Sequence, residues 1–208
     1  MSIQVCTVCS SNMNRSMEAH RVLEQAGYKV VSFGTGNAVK IPGLTKEQPN
    51  VFAFGTPYTE MLKALEEQES TISPEKRNYA KQGLYEMLNR NIKLKEAPEN
   101  WQSQETSKLL HNEVIISCDE KCYELILEDC FKRGRRYEKP LLVLNLDVED
   151  FHANSVDAGK SILRLMEMFE DLKKNNQGLL YYDYLDQLLG KWQMMYPHLP
   201  LLYSLIWL

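Results

Sequence analysis

Ile3-Gln4-Val5-Cys6-Thr7-Val8-Cys9, then Ser10-Ser11-Asn12-Met13-Asn14-Arg15-Ser16, then Met17-Glu18-Ala19-His20-Arg21-Val22-Leu23 is the stretch whose reading decides the fold. It reads as a strand, a tight polar loop and an amphipathic helix. The pattern predicts the strand over about Gln4 to Val8 and the helix over about Asn14 to Ala26, stopping at Gly27 just past its end. Lys29-Val30-Val31-Ser32-Phe33 reads as a second strand. Strand, helix and strand in about 30 residues make a βαβ unit, so the two strands are expected parallel with a right-handed crossover.

Two further runs extend the sheet. Glu113-Val114-Ile115-Ile116-Ser117-Cys118 and Pro140-Leu141-Leu142-Val143-Leu144-Asn145-Leu146 are short and nearly continuously apolar, the mark of strands covered on both faces. Asp119-Glu120 open a helix after the first run, where acidic residues suit the N-terminus. Lys132-Arg133-Gly134-Arg135-Arg136 ends that helix and reads as C-terminal capping chemistry rather than a nuclear import signal. Further helices are expected over Pro57 to Gln68, Ser73 to Asn91, Asn154 to Asn175 and Leu179 to Met195. The fold class is therefore α/β: a doubly wound, four-stranded, mainly parallel sheet flanked by helices. Ligands in such folds sit beyond the C-terminal ends of the strands, where the Cys9–Ser16 loop, Cys118 and Asp147/Asp150 would gather.

Gly34-Thr35-Gly36 interrupts this pattern, and the chain stays rich in Gly and Pro as far as Pro57. A segment of that length is too long for an ordinary βα loop and reads either as a binding lid or as a surface hairpin.

The loop carries Cys-x5-Arg-Ser. Backbone N–H groups from Ser10 to Arg15, including those of Ser11, Asn12, Met13 and Asn14, can curl around one oxyanion at a helix N-terminus. Arg15 adds a planar fork matched to two phosphate oxygens. The same positive field favours the thiolate form of Cys9, which makes it a nucleophile poised to attack phosphorus. Ser16 can donate a hydrogen bond to that sulfur, and Asn12 tolerates the left-handed conformation a tight loop needs. An acid must protonate the leaving group, and Asp147 and Asp150 are the candidates because the fourth strand delivers them to the same edge. His20 lies about one helical turn too deep and reads as structural.

Composition narrows the classes. At 44% hydrophobic residues, the 208-residue chain can bury a core, and a net charge of -4 argues against a duplex nucleic-acid binder. No apolar run reaches the about 20 residues a bilayer requires, so no membrane partner is expected. The cysteines (Cys6, Cys9, Cys118, Cys122 and Cys130) are odd in number and follow no signal peptide, which points to a reducing compartment. Cys6-x2-Cys9 lacks a second ligand pair, so neither metal nor cofactor is expected. The apolar tail from Leu199 to Leu208 is expected to pack on its own domain or on a partner.

The run Val8-Cys9-Ser10-Ser11-Asn12-Met13-Asn14-Arg15-Ser16-Met17-Glu18-Ala19-His20 resembles the Ssu-type phosphatases that act on the carboxy-terminal domain (CTD) of RNA polymerase II, relatives of the low-molecular-weight tyrosine phosphatases. The likeness continues through Val39-Lys40-Ile41-Pro42-Gly43, Phe54-Gly55-Thr56-Pro57-Tyr58, Arg90-Asn91, Ser117-Cys118-Asp119-Glu120-Lys121 and Leu144-Asn145-Leu146-Asp147, and weakens after about residue 160. It implies a single phosphatase domain over residues 1–208, with an inserted substrate loop at 35–57 and a tail at 196–208. It implies dephosphorylation of phosphoserine followed by a cis proline in the CTD heptad, chiefly at the fifth-position serine. By that resemblance Cys9 is the nucleophile, Arg15 the clamp, Asp150 the general acid and Asp147 a support for the loop. Lys40, Ile41, Pro42, Tyr79 and Met87 would form the substrate groove. A nuclear location and a scaffold subunit of the cleavage and polyadenylation complex as partner are also implied. Asn89 stands where the family usually has Asp, which calls into question a salt bridge there.

Two rival readings use the same loop. A thioredoxin-coupled arsenate reductase would need resolving thiols, for which Cys118 and Cys122 are available. A non-catalytic reader of the phosphorylated CTD would have no use for a nucleophile at Cys9. A reversible Cys6–Cys9 disulfide is a further hypothesis.

Overall fold

The computed structural model describes residues 3–45, 47–134, 137–175 and 181–208. The opening unit forms as its pattern predicts: β1 (Gln4–Cys9), α1 (Arg15–Gln25) and β2 (Lys29–Gly34), with Val5 opposite Val30 and Cys9 opposite Gly34 in a parallel ladder. An antiparallel hairpin follows, β3 (Val39–Thr45) and β4 (Gln48–Phe52), then α2 (Tyr58–Ser70), α3 (Leu84–Leu94) and the short α4 (Thr106–Leu109). The chain returns to the sheet as β5 (Val114–Ser117), α5 (Glu120–Arg133) and β6 (Pro140–Leu146), and closes with α6 (His152–Asn175), α7 (Leu185–Met195) and β7 (Leu201–Trp207).

The main sheet runs β2-β1-β5-β6-β7. Its first four strands are the four read from sequence and are parallel; β7 is a fifth, antiparallel to β6 along its whole length, from Leu146 opposite Leu201 to Pro140 opposite Trp207. The tail thus packs on its own sheet. It escapes a sequence reading because only long-range pairing with β6 distinguishes it from any short apolar segment.

Alternation along β1 sorts the core into two layers. Ile3 and Val5 join Ala19 and Leu23 of α1, Phe169 of α6 and Trp192 of α7 on one face. Cys6 and Val8 join Trp101 and Ile126 on the other. A third cluster holds the insertion: Ile41, Tyr58, Met61, Leu65, Tyr79, Met87 and Leu88 pack with Met13 and Met17. Each fully buried side chain of this size contributes roughly 1.5–3 kcal/mol, so the hairpin is bolted to the loop after β1.

Residues 35–57 therefore carry the paired strands β3 and β4, with a register shift between Ile41 and Thr45 around Pro42-Gly43. The single helix expected over Ser73 to Asn91 is instead a 3-10 turn at Pro74–Lys76 and, separately, α3, because Gly83 takes φ 72 just before Leu84. That left-handed conformation suits glycine and ends any helix running through it. A 3-10 turn at Tyr181–Tyr184 likewise precedes α7. Leu179 of that expected helix, and Arg135 and Arg136 of the basic run, lie outside the described residues. Among the described residues no helix is long and apolar enough to cross a membrane.

Candidate active site

β1 ends at Cys9 in the middle of the sheet, and α1 begins at Arg15; the five residues between them wrap a cradle at the C-terminal edge. Cys9 is 3% exposed, and its Sγ lies 3.0 Å from Ser16 Oγ. Asn12 takes φ 53, donates from Nδ2 to Ser16 Oγ at 3.1 Å, and accepts from the Glu99 N–H at 3.2 Å. Its amide is thus tied at both ends, and the hydroxyl that receives its proton keeps its own hydrogen for the sulfur. Thr7 Oγ1 donates to the Ser16 carbonyl at 2.8 Å and fixes the first turn of α1 to β1.

Neighbouring elements hold the cradle from outside. The Cys9 and Ser10 carbonyls accept from the N–H groups of Thr35 and Gly36 at 3.0 and 2.9 Å, and the Asn12 carbonyl accepts from Tyr58 Oη at 2.7 Å. A Cβ on Gly34 would stand 2.7 Å from the Ser10 carbonyl oxygen. The Gly-Thr-Gly interruption in the sequence is therefore the close approach of one loop to another. The Lys40 N–H donates to Ser11 Oγ at 3.1 Å and docks the hairpin on the cradle.

Arg15 is anchored along one part of its fork. Nη1 donates to the carbonyls of Cys118 (3.1 Å) and Val148 (2.9 Å), and Nη2 pairs with Asp119 Oδ2 at 2.9 Å. Those contacts use three of the five N–H donors. Nε is buried without a hydrogen-bond partner among the described residues, which leaves it and one Nη2 hydrogen for a phosphate. Burial works against the charge, but Cys9, Asp150, Cys118 and Asp119 outweigh it and push the guanidinium pKa up.

Asp150 reaches the rim of the same site. Its Oδ1 accepts from Asn14 Nδ2 at 3.0 Å and lies 3.6 Å from Arg15 Nε, with the side chain 59% exposed. Cys9, Ser10, Ser11, Met13, Asn14 and Arg15 border a cavity of about 460 Å³. Lys40, Ile41 and Pro42 of β3 form one side, Lys81 to Leu84 and Met87 a second, and Asp150 and Phe151 a third. A buried thiol, an anion cradle and a solvent-exposed carboxyl thus face one cavity, an arrangement able to cleave a phosphomonoester in two displacements.

Other expected residues lie elsewhere. Asp147 is exposed and lines a separate depression with Asp157 and His198, so it does not reach the cradle. Tyr79 is fully buried, and its hydroxyl donates to Gln68 Oε1 at 2.6 Å and accepts from Asn50 Nδ2 at 3.1 Å. It fastens the hairpin to α2 instead of touching substrate. Cys6 and Cys9 project from opposite faces of β1, three residues apart, which separates the two thiols of the supposed disulfide. All five cysteines are free and buried. Cys118 and Cys122 flank the site, and burial, with Cys9 adding to it at Cys118, drives the Cys118 thiol pKa up.

Three residues escaped the sequence reading. Asp119 reads as a helix cap and is one, its Oδ1 accepting from the Cys122 N–H at 2.8 Å, while its other oxygen holds Arg15. Lys81 lines the cavity from a segment read as continuous helix, and Phe151 from the turn after β6, neither of which singled the residue out.

Known proteins are similar to this chain along nearly its whole length. The family model described as Ssu72-like protein matches residues 3–208. The RNA polymerase II C-terminal domain phosphatase SSU72 of Candida glabrata is 42% identical over 205 residues, covering 98% of this chain and 96% of its own. That of Schizosaccharomyces pombe is 39% identical over 204 residues, with the same coverage. Among solved structures, Drosophila melanogaster Ssu72 with Symplekin, bound to a cis peptidomimetic CTD peptide phosphorylated at the position-5 serine, superposes with a TM-score of 0.84 at 29% identity, covering 100% of this chain and 99% of that one.

Proposed function

The chain belongs to the Ssu72-like protein family and is a protein phosphatase, and on that premise we propose that it dephosphorylates phosphoserine-proline in the CTD of RNA polymerase II through a cysteinyl-phosphate intermediate. The observation that carries the reading is the meeting, at one cavity, of Cys9 Sγ under Ser16 Oγ, Arg15 Nε without a hydrogen bond among the described residues but 3.6 Å from Asp150 Oδ1, and the Asp150 carboxyl.

In the first step the Cys9 thiolate attacks phosphorus in line while the serine P–O bond breaks. Asp150 gives its proton to the departing alkoxide. Arg15 and the cradle N–H groups take the charge spread over the three equatorial oxygens. In the second step Asp150, now a carboxylate, removes a proton from water as the water attacks phosphorus. The S–P bond breaks, Ser16 donates its hydrogen bond to the returning thiolate, and inorganic phosphate leaves.

The substrate is the fifth-position phosphoserine of the heptad with its following prolyl bond cis. A cis bond reverses the chain locally, and the cavity wall of Ile41, Pro42, Leu84 and Met87 offers apolar surface to such a turn. The protein acts in the nucleus, in transcription and mRNA 3′-end processing, with a scaffold subunit of the cleavage and polyadenylation complex as its partner. The test is hydrolysis of a panel of phospho-CTD peptides with and without a prolyl isomerase. Turnover of the fifth-position peptide, accelerated by the isomerase when the cis pool limits the rate, is expected. Release of phosphate from aryl substrates alone would remove the phosphoserine assignment.

A further inference from the structure

We propose that Arg90, assisted by Asn91, is a positioning residue for the phosphate cradle: from behind the loop it sets the direction of two peptide units and so aims the N–H groups of Asn14 and Arg15 at the bound phosphate. The proposal rests on the reading of this loop as the phosphate site.

The argument starts from the planarity of the peptide. In a trans unit the carbonyl of one residue and the N–H of the next point in opposite directions, and the described residues contain no cis peptide bond. Whatever holds a cradle carbonyl outward therefore turns the following N–H inward. Arg90 Nη2 donates to the Met13 carbonyl at 2.7 Å, and Asn91 Nδ2 donates to the same oxygen at 2.8 Å. Arg90 Nη2 also reaches the Asn14 carbonyl at 3.2 Å, alongside the Glu18 N–H at 2.9 Å. The Cys9, Ser10 and Asn12 carbonyls are held by uncharged groups, so Arg90 is the charged donor to the cradle's carbonyls among the described residues.

Arg90 is itself held in place. Nη1 pairs with Glu18 Oε2 at 3.1 Å, Nε donates to Asn91 Oδ1 at 3.1 Å, and the Arg90 and Glu18 side chains are 10% and 3% exposed. Asn89, whose place in the run called a salt bridge into question, bonds back to the Tyr85 carbonyl, and the carboxylate that Arg90 pairs with is Glu18 of α1. Burial lowers the guanidinium pKa while Glu18 works against that shift. Neither Arg90 nor Asn91 lines the cavity, but Met87, about one turn earlier on the same helix, and Leu84, about two turns earlier, do. One turn of α3 thus meets substrate while the next grips the cradle. A lysine at position 90 would carry the charge but not the planar fork, and could not serve Glu18 and both carbonyls at once.

The test uses the full chain with Arg90→Lys, Arg90→Met and Asn91→Ala. Three quantities are read: kcat and KM on p-nitrophenyl phosphate, the tungstate Kd by calorimetry, and Tm. Arg90→Lys is expected to lower kcat on the order of 10²-fold, as misplacement of groups around a reacting centre does, and to weaken tungstate binding about 10-fold through ill-aimed amides. Asn91→Ala should shift both in the same direction by less. A variant with lowered Tm but unchanged tungstate Kd, and kcat within about twofold of wild type, would reduce Arg90 to a stability element and overturn the proposal. If both Arg90 variants fail to fold, Asn91→Ala decides, because it deletes the Nδ2 bond to the Met13 carbonyl and the acceptor for Arg90 Nε but leaves the Arg90–Glu18 ion pair. A wild type that binds tungstate but hydrolyses nothing would overturn the proposed function and leave the Kd comparison to judge Arg90. One that binds no oxyanion would overturn both.

Discussion

Two regions meet at the cavity and are built in opposite ways. The cradle is a loop with the properties of a core: Cys9, Asn12, Met13 and Ser16 are buried, and its carbonyls are fastened by groups from the Gly-Thr-Gly segment, α2 and α3. The turn after β6 is a loop in the ordinary sense. Asp150 is 59% exposed in its side chain and reaches the cradle through Asn14 and Arg15, and Phe151 beside it is 67% exposed. The proposed reaction accounts for the contrast. In it the nucleophile and clamp must match a charge distribution that exists only in the transition state, so their geometry is set beforehand. The proposed acid must meet a leaving group that arrives with the substrate and then give way to water, so it stands at the rim.

The contrast is most sharply tested by removing its centre. Cys9→Ser should lose turnover by on the order of 10⁴-fold or more while still binding phosphopeptide, since the cradle that binds is made of backbone and Arg15. Residual turnover near wild type would mean the thiol is not the nucleophile. The acid turn should show its role as a difference between substrates. Asp150→Asn is expected to cost about 10²–10⁴-fold on phosphoserine peptide and distinctly less on an aryl phosphate, whose phenolate leaves without help. Equal losses on both would break the division of labour between the regions. Arg15→Lys keeps the charge but loses the fork, and should cost about 10²–10³-fold in kcat.

What could be read from the sequence follows the same division. The βαβ unit and the two buried strands were legible because each declares itself locally, and the cradle lies between them, so Cys9, Arg15, Ser16 and the left-handed Asn12 follow from one short stretch. Asp147 and Asp150 were both candidates because a parallel strand must end at the same edge as β1, and only the resemblance chose Asp150 between them. The rest depended on distance. Tyr79 and Met87 looked alike as apolar residues of one helix; both join the third cluster, but they stand on either side of the break at Gly83 and only Met87 also lines the cavity. Asp119 was hidden by being a good cap, since the same carboxyl also serves Arg15 from across the sheet. Strand β7 has no meaning until β6 is beside it.

Asp119 also grades the rigidity of the clamp. Asp119→Asn keeps an acceptor for the Cys122 N–H and should preserve α5, but it removes the charge that holds Arg15 Nη2. A fall in kcat of about 10-fold with little change in Tm is expected, the cost of loosening a group that must be aimed. A Tm drop with unchanged kcat would mean that the two carbonyls on Nη1 suffice to hold the guanidinium.

The smallest expected effect on turnover lies behind the cradle, at His20 of α1, whose consequence is for stability. Its Nδ1 meets Ser32 Oγ at 2.9 Å, and its Nε2 is 3.8 Å from Glu24. Burial, with the positive charge of Lys95 adding to it and Glu99 opposing it, moves the imidazole from its ordinary 6.5 down to about 4. Between those two pH values the unfolded chain binds a proton that the folded chain refuses. His20 therefore takes nothing from stability above about pH 6.5 and progressively more as pH falls toward 4, up to roughly 3 kcal/mol. Urea unfolding of wild type and His20→Gln from pH 7.5 to 4.5 measures this, and the variant should have the shallower slope. Phe151→Ala, on the exposed turn, should keep the wild-type slope. Parallel slopes for wild type and His20→Gln would mean that the imidazole is accessible to protons, and that the interior character of the cradle stops short of the helix that carries it.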